Sequence, residues 1–319
     1  MLTPRDQVGK RSEAGAALIV VLLILALLLA VVAEFAQAMR LEATTTGNFR
    51  RAVAATHLAE AGYHRAVAEL LPDAVDQELD VHGVLAFRRA GVTVAPEAPA
   101  RLDLALGSAR FSYRITDETA RINLNRAPPP LLHRLLEEVG VERAARDVIV
   151  DSILDWIDPN EEHRLNGAES DYYLTLPVPY RSKNAAFDSV DELLQVRGMT
   201  REILYGRPNS PGLAEHLTVA GPGATNVNTA GPTVLRTLGF APAEVDLLVA
   251  KRPYRDLSAL GTPLRRGSQR VKSDLFRIEA WGGEAGHRDR TLVAVVQRKI
   301  GAGGAVRVVP LSWRWIDEP

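Results

Sequence analysis

The chain has no cysteine among its 319 residues, which excludes disulfide staples and thiolate metal sites without fixing a compartment. Net charge is nearly absent too: 38 Lys and Arg against 39 Asp and Glu leave −1 at neutral pH. That balance gives no electrostatic reason to expect nucleic acid or an acidic membrane surface as partner. Catalytic signatures are missing as well. There is no G-x-S-x-G elbow, H-E-x-x-H helix or phosphate loop, and the 7 histidines are scattered, so a hydrolase reading has nothing specific beneath it. The length exceeds the usual single-domain size and predicts two domains sharing one anchor.

A long apolar run is present. Ala16 to Ala33 are 18 consecutive apolar residues, with Glu34 the first charge after them. At about 1.5 Å per residue the run spans roughly 27 Å, enough to cross a hydrocarbon core. Arg5, Lys10 and Arg11 precede it, which favours a cytoplasmic N-terminus, although Arg40, Arg50 and Arg51 beyond it weaken the asymmetry. Three readings compete. The run is a plain uncleaved anchor, or a secretory signal cut near Ala36-Gln37-Ala38, for which 18 apolar residues is long. In the third, the basic stretch Lys10-Arg11-Ser12-Glu13-Ala14-Gly15, ending in glycine at the mouth of the run, resembles a type IV prepilin leader. Cleavage would then fall between Gly15 and Ala16 and retain the helix. Pilins usually carry glutamate at the fifth mature position; here that position is Val20.

The helical pattern continues past the membrane. Phe49, Ala52, Val53, Thr56, Ala59, Tyr63, Ala66, Val67 and Leu70 recur at spacings of three and four until Pro72, which fits either a near-continuous helix from about Ala16 to Leu71 or two separate helices, one transmembrane and one soluble. Gly47 and Gly62 are expected to mark bends. Strand patterns follow at 84–94 and 109–115, and return at 274–281, 291–298 and 306–316. Between them, from Pro128 to about Leu217, the pattern is helical, as for a domain inserted into a sheet. An internal repeat lies in this stretch. Asn123-Leu124-Asn125-Arg126-Ala127 with Pro129 and Leu132 matches Asn226-Val227-Asn228-Thr229-Ala230 with Pro232 and Leu235, offset by 103 residues throughout.

Two constellations could carry chemistry. From Asp155 to Asp171 the chain holds six carboxylates and two asparagines in 17 residues, the hard oxygen donors that Ca²⁺ takes, though not at EF-hand spacing. The alternative is a solvated acidic loop capping nearby helices. The second, Phe187 to Met199, reads as a capped helix ending at Gly198. It also resembles half of a helix-hairpin-helix, which raises a rival function: a membrane-tethered DNA-binding module of a competence type. Gly198-Met199-Thr200 lacks the usual second glycine, and the neutral charge offers little counterion release.

Taken in order, the glycine-ended leader, Val20, ITDETARINLNRA, ILDWIDPNEEHRLNGAESDYY, FDSVDELLQVRGM and the strand-rich end from SDLFRIEA resemble the K-type minor pseudopilins of the type II (general) secretion system. The resemblance implies an α+β fold, in which a pilin-like long N-terminal helix packs on a small antiparallel sheet and a large all-α domain is inserted. The parts would be a leader (1–15), a transmembrane and assembly helix (16–71), a first pilin-like part (72–125), the inserted domain (126–225, continuing to about 270) and C-terminal strands (271–319). It further implies processing at Gly15 and Ala16 by prepilin peptidase, N-methylation of Ala16, and a single-pass inner-membrane protein whose C-terminal part is periplasmic. The function implied is non-enzymatic: priming or capping the pseudopilus, with minor pseudopilins of the I and J types and the inner-membrane secretion platform as partners. Calcium is the implied ion, placed on Asp155, Asp158, Glu162, Glu169 and Asp171.

Overall fold

A computed structural model describes residues 6–72, 76–79, 85–88, 101–208, 210–261, 268–283 and 290–316, with residues 6–15, 76–79, 86 and 88 as backbone alone. Its first element, α1 (Asp6–Leu70), is a single helix of 65 residues, roughly 98 Å long. Leucine, alanine and valine fill its apolar part, and no proline interrupts it before Pro72. From Ala16 onward α1 is long and apolar enough to cross a membrane, and none of its most apolar stretch is buried in the protein. The environment changes at Ala55. From there Ala55, Leu58, Ala59, Tyr63, Ala66 and Leu70 are buried, on one stripe at helical spacing.

The next elements are β1 (Asp76–Leu79), β2 (Leu85–Arg88), β3 (Leu104–Leu106) and β4 (Ala109–Asp117). A mainly helical stretch follows: β5 (Ile122–Asn123), α2 (Pro129–Glu138), α3 (Arg143–Ile157), α4 (Ser170–Tyr173), α5 (Arg201–Tyr205), β6 (Gly206–Arg207), β7 (Ser210–Pro211), β8 (Leu217–Thr218), β9 (Thr225–Asn226), α6 (Pro232–Thr237), α7 (Pro242–Ala250) and β10 (Gln269–Arg270). Three long strands come last: β11 (Leu275–Gly282), β12 (Arg290–Ile300) and β13 (Val306–Ile316). The strand expected over 84–94 is described only as β2; residues 89–94 lie outside the described residues.

Strands β13-β12-β11-β4-β3 form one antiparallel sheet. Thus β4 and β11 are neighbours although everything from Glu118 to Asp274 lies between them. Period-two alternation gives the sheet one apolar face: Phe276, Ile278 and Ala280 on β11, with Leu292, Ala294 and Val296 on β12, pack with Tyr113 and Ile115 against α1. Polar clips close the far end of the helix. Arg298 Nε donates to the Leu70 carbonyl (2.9 Å), and Glu69 accepts from Arg101 and from Tyr113 Oη (2.9 Å).

Gly62 lies within the unbroken helix and does not interrupt it. A Cβ there would stand 3.0 Å from both Ala280 Cβ and the Ser112 carbonyl oxygen, so hydrogen at this position sets how closely α1 approaches the sheet. Gly47, with nothing within 4 Å, likewise sits inside the helix. Gly62→Val is therefore expected to lower stability by about 1–3 kcal/mol through overpacking, whereas Gly47→Ala raises it by up to about 1 kcal/mol. Paired denaturant titrations measure both; a stabilised Gly62→Val would refute the close-approach account.

The helical stretch has a separate core, built from Leu132, Leu135, Ile149, Ile153, Trp156, Leu193, Leu235 and Leu248 among others. Its two Asn-x-Asn segments are wired alike. Asn123 Oδ1 accepts from Asn125 N (2.9 Å), and Asn226 Oδ1 from Asn228 N (3.0 Å). The second asparagine of each pair bonds both backbone groups of an aromatic residue: Asn125 those of Phe187, and Asn228 those of Tyr254. Each segment belongs to a two-residue strand in a parallel pair, β5 with β8 and β9 with β10. Each leads to a proline-started helix, α2 or α6, that closes on a glycine. After each aromatic residue comes a short 3₁₀ turn, Val190–Gln195 or Leu257–Leu260. The first of these replaces the helix expected over 187–199: six residues between the Ser189 cap and Val196 form a 3₁₀ turn that buries Leu193. The copies differ most in one link. Three residues join α7 to Tyr254, while the acidic stretch joins α3 to Phe187.

Candidate functional site

The acidic stretch begins where α3 ends. Asp155 lies in its last turn and is completely buried; Asp158 follows the helix and is partly buried; Glu169 precedes α4 and is 1% exposed. A carboxylate oxygen of each lies within 4.8 Å of the other two. Glycine makes this approach possible, because a Cβ on Gly167 would stand 1.8 Å from Asp155 Oδ2. The loop is pinned from several sides. Asp151 Oδ2 accepts from Asn166 N (3.1 Å) and Nδ2 (3.0 Å). Glu161 accepts from Ser170 N and Oγ and from Asn184 Nδ2. Arg197 Nη1 donates to the Gly167 carbonyl (2.9 Å). Beneath the loop, Trp156 meets Tyr173 edge-on at 5.2 Å, and Tyr173 stacks on Tyr180.

The carboxylates are unequally satisfied. Asp155 accepts from Arg164 N (3.1 Å) and Arg164 Nη1 (2.5 Å), and Nη1 also reaches Asp158 Oδ2 (2.6 Å). Neither oxygen of Glu169 has a hydrogen-bond partner among the described residues. Burial, reinforced by the charges of Asp155, Asp158 and Glu161, pushes the Glu169 carboxyl up to about 7, and the nearby Ser182 hydroxyl, not placed to make a full hydrogen bond with it, offsets this only in part. Three converging oxygen donors, one of them buried and orphaned, fit a hard divalent cation better than a softer metal.

Two residues named from the sequence lie elsewhere. Glu162 is exposed, its amide held by Asn160 Oδ1 (2.7 Å). Asp171 is exposed in the first turn of α4, where it accepts from Tyr172 N (2.7 Å) and lies 3.9 Å from His163. At the other end of the chain, Ala16 and Val20 are exposed on the apolar part of α1, and Gly15 belongs to the part described as backbone alone.

A second polar centre, missed in the sequence, joins the helical stretch to the sheet. Glu118, 1% exposed, accepts two bonds from Arg277 of β11 (both 2.8 Å), one from Arg121 (2.9 Å) and one from Thr218 of β8 (2.6 Å). Burial alone would raise its pKa, but the Arg277 fork, the Arg121 charge and the Thr218 hydroxyl together hold it below the usual carboxylate range. Its neighbour Asp117 accepts from Asn226 Nδ2 and Thr229 Oγ1 (2.6 Å each). Adjacent carboxylates thus tie both copies of the repeat to the sheet. The one available signal was their position at the end of a strand, just before the first Asn-x-Asn.

A membrane-length helix laid on an antiparallel sheet, with a helical unit carried between neighbouring strands, fits an anchored, pilin-like subunit with an insertion. Residues 114–206 match the family described as Type II secretion system (T2SS), protein K. Protein K of Pectobacterium carotovorum subsp. carotovorum is 28% identical, the match covering 61% of this chain and 61% of that protein. A putative protein K of Escherichia coli K12 is 26% identical over 60% of this chain and 59% of its own length, so the chain spans about three fifths of these two relatives. The Pseudomonas aeruginosa protein K is 26% identical across 94% of this chain and 92% of its own. Among solved structures, a chain of the GspK-GspI-GspJ complex from enterotoxigenic Escherichia coli shares the fold with a TM-score of 0.55 and 18% identity, over 67% of this chain and 82% of that one. The chain is thus similar to the type II secretion system protein K family, the K-type minor pseudopilins, over residues 114–206 and across most of its length in the Pseudomonas aeruginosa relative. Nothing in these likenesses supports the DNA-binding alternative.

Proposed function

We propose that the chain is a structural tip component of the pseudopilus, which primes or caps it together with minor pseudopilins of the I and J types. The observation that carries this reading is Val20. An 18-residue apolar run without a carboxylate cannot pair with the ammonium of a neighbouring subunit, so it suits a place with no subunit above it. In this reading prepilin peptidase cuts between Gly15 and Ala16, Ala16 is N-methylated, the retained helix sits in the inner membrane, and the sheet and helical unit lie in the periplasm. The solved relative is a complex of K, I and J types, which supports the choice of partners. Co-expression of the full chain with I- and J-type minor pseudopilins tests it: the three should co-purify from detergent, with a mature K-type N-terminus at Ala16. Recovery of the chain free of both partners, or a mature start at Phe35 or Met39, would overturn it.

The same proposal includes calcium, held by Asp155, Asp158 and Glu169. Bound there, the ion supplies positive charge to three converging carboxylates. The chain's own part is to fix α3 and α4 at the distance that brings them together. The support is the orphaned, buried carboxylate of Glu169. Glu162 and Asp171, implied by the resemblance, are omitted because they face solvent away from the cluster.

A further inference from the structure

Resting on the calcium reading above, we infer that Arg164 is a built-in counter-cation of this centre, which competes with a divalent ion for Asp155 and Asp158. The three carboxylates bring up to three negative charges within 4.8 Å. Without a cation, such a group would repel itself across a poorly solvated space. The structure meets this need from within. Arg164 Nη1 bridges Asp155 Oδ1 (2.5 Å) and Asp158 Oδ2 (2.6 Å), and its backbone amide adds a bond to Asp155.

The bridge is incomplete in an informative way. It engages two of the three carboxylates and leaves Glu169, the most in need of a positive partner, without one. Arg164 also sits in the irregular stretch between α3 and α4, and its side chain is 39% exposed. It can therefore turn outward without burying its charge. Asp155, completely buried on a helix, has no such freedom. A divalent ion on these oxygens would face the guanidinium at close range as a like charge. One of the two cations must leave, and only the guanidinium has solvent to go to. The bridge thus keeps the loop folded before an ion arrives and weakens the ion's apparent affinity, since competition reduces the share of protein ready to bind.

Isothermal titration calorimetry of CaCl₂ into the full chain in detergent tests this, comparing wild type with Arg164→Gln and Arg164→Lys, alongside thermal melts in excess chelator. Arg164→Gln keeps the backbone amide and removes the charge. It is expected to bind calcium about ten- to a hundredfold more tightly, the equivalent of one or two charge-assisted hydrogen bonds released from competition. Its melting temperature in chelator should fall below that of wild type and recover with calcium. Arg164→Lys keeps the charge on a folded loop and should bind with intermediate affinity. Binding by Arg164→Gln with none by wild type would support the inference and refute the calcium reading for the native chain. Equal or weaker binding by Arg164→Gln than by wild type would overturn the inference and leave the calcium reading standing. Absence of binding in all three proteins overturns both.

Discussion

Glu118→Ala is expected to lower stability by about 3–5 kcal/mol. The reason is the state in which it leaves its partners. Arg277 and Arg121, with side chains 17% and 18% exposed, would keep their charges with the carboxylate gone, and breaking a buried pair costs far more than the pair itself contributes. The loss should also be uneven. Glu118 joins two elements with separate cores, so its removal weakens the joint more than either side. Thermal melts of the full chain in detergent should show a transition lowered by roughly 6–20 °C or split in two. Replacing Glu118 and Arg277 together by methionine should recover most of the loss, because neither charge is then left alone. A single transition at the wild-type temperature in Glu118→Ala would remove Glu118 from this role.

The same carboxylate predicts a pH dependence of definite sign. Its folded-state pKa lies below the ordinary value of 4.5, because the Arg277 fork and its neighbours outweigh the effect of burial. An unfolded chain would therefore take up the proton first as pH falls. The contribution of Glu118 is complete above about pH 4.5 and is lost as pH drops through its folded value. The difference in stability between wild type and Glu118→Gln should shrink on acidification below pH 4.5 and stay level above pH 6.

What could be read from the sequence depended on how local its cause was. The long helix was legible because an apolar run, a stripe at spacings of three and four and a terminal proline all lie on contiguous residues. Strands β4, β11, β12 and β13 were legible from alternation. Their neighbours were less so. The pairing of Phe276 with Asp117 joins residues at opposite ends of the inserted stretch, and no local signal encodes it. The pairing of Glu118 with Arg277, 159 positions apart, is illegible for the same reason. Within the acidic loop, composition announced hard oxygen donors but not their directions. Asp155 and Asp158 are placed by the end of α3 and Glu169 by the start of α4. Glu162 and Asp171 sit on the same stretch with side chains facing out, a choice made by the turn around Gly167 and not by residue type. The role of Arg164 is not legible in sequence, because one basic residue among six acidic ones reads as an ordinary solvated pair.

Calcium is expected to raise the melting temperature of the full chain by roughly 5–10 °C at about a hundredfold excess over its dissociation constant, which corresponds to about 2.7 kcal/mol. Glu169 should decide this effect. Its carboxyl, pushed up to about 7 by burial and neighbouring acids, holds its proton more tightly folded than unfolded, where the value is 4.5. In chelator, the stability tied to that proton is complete below about pH 4.5 and is lost as pH rises through about 7, a penalty on the order of 3 kcal/mol at pH 8. Glu169→Gln removes the ionisation and with it the penalty. The variant should therefore melt at or above wild type in chelator at pH 8, yet gain nothing from calcium. A purely structural glutamate would show the reverse, a destabilised variant with its calcium response intact. Glu162→Gln and Asp171→Gln, outside the cluster, should keep the full response. If either abolished it while Glu169→Gln did not, the ion would belong to the exposed carboxylates and the assignment to Asp155, Asp158 and Glu169 would fall.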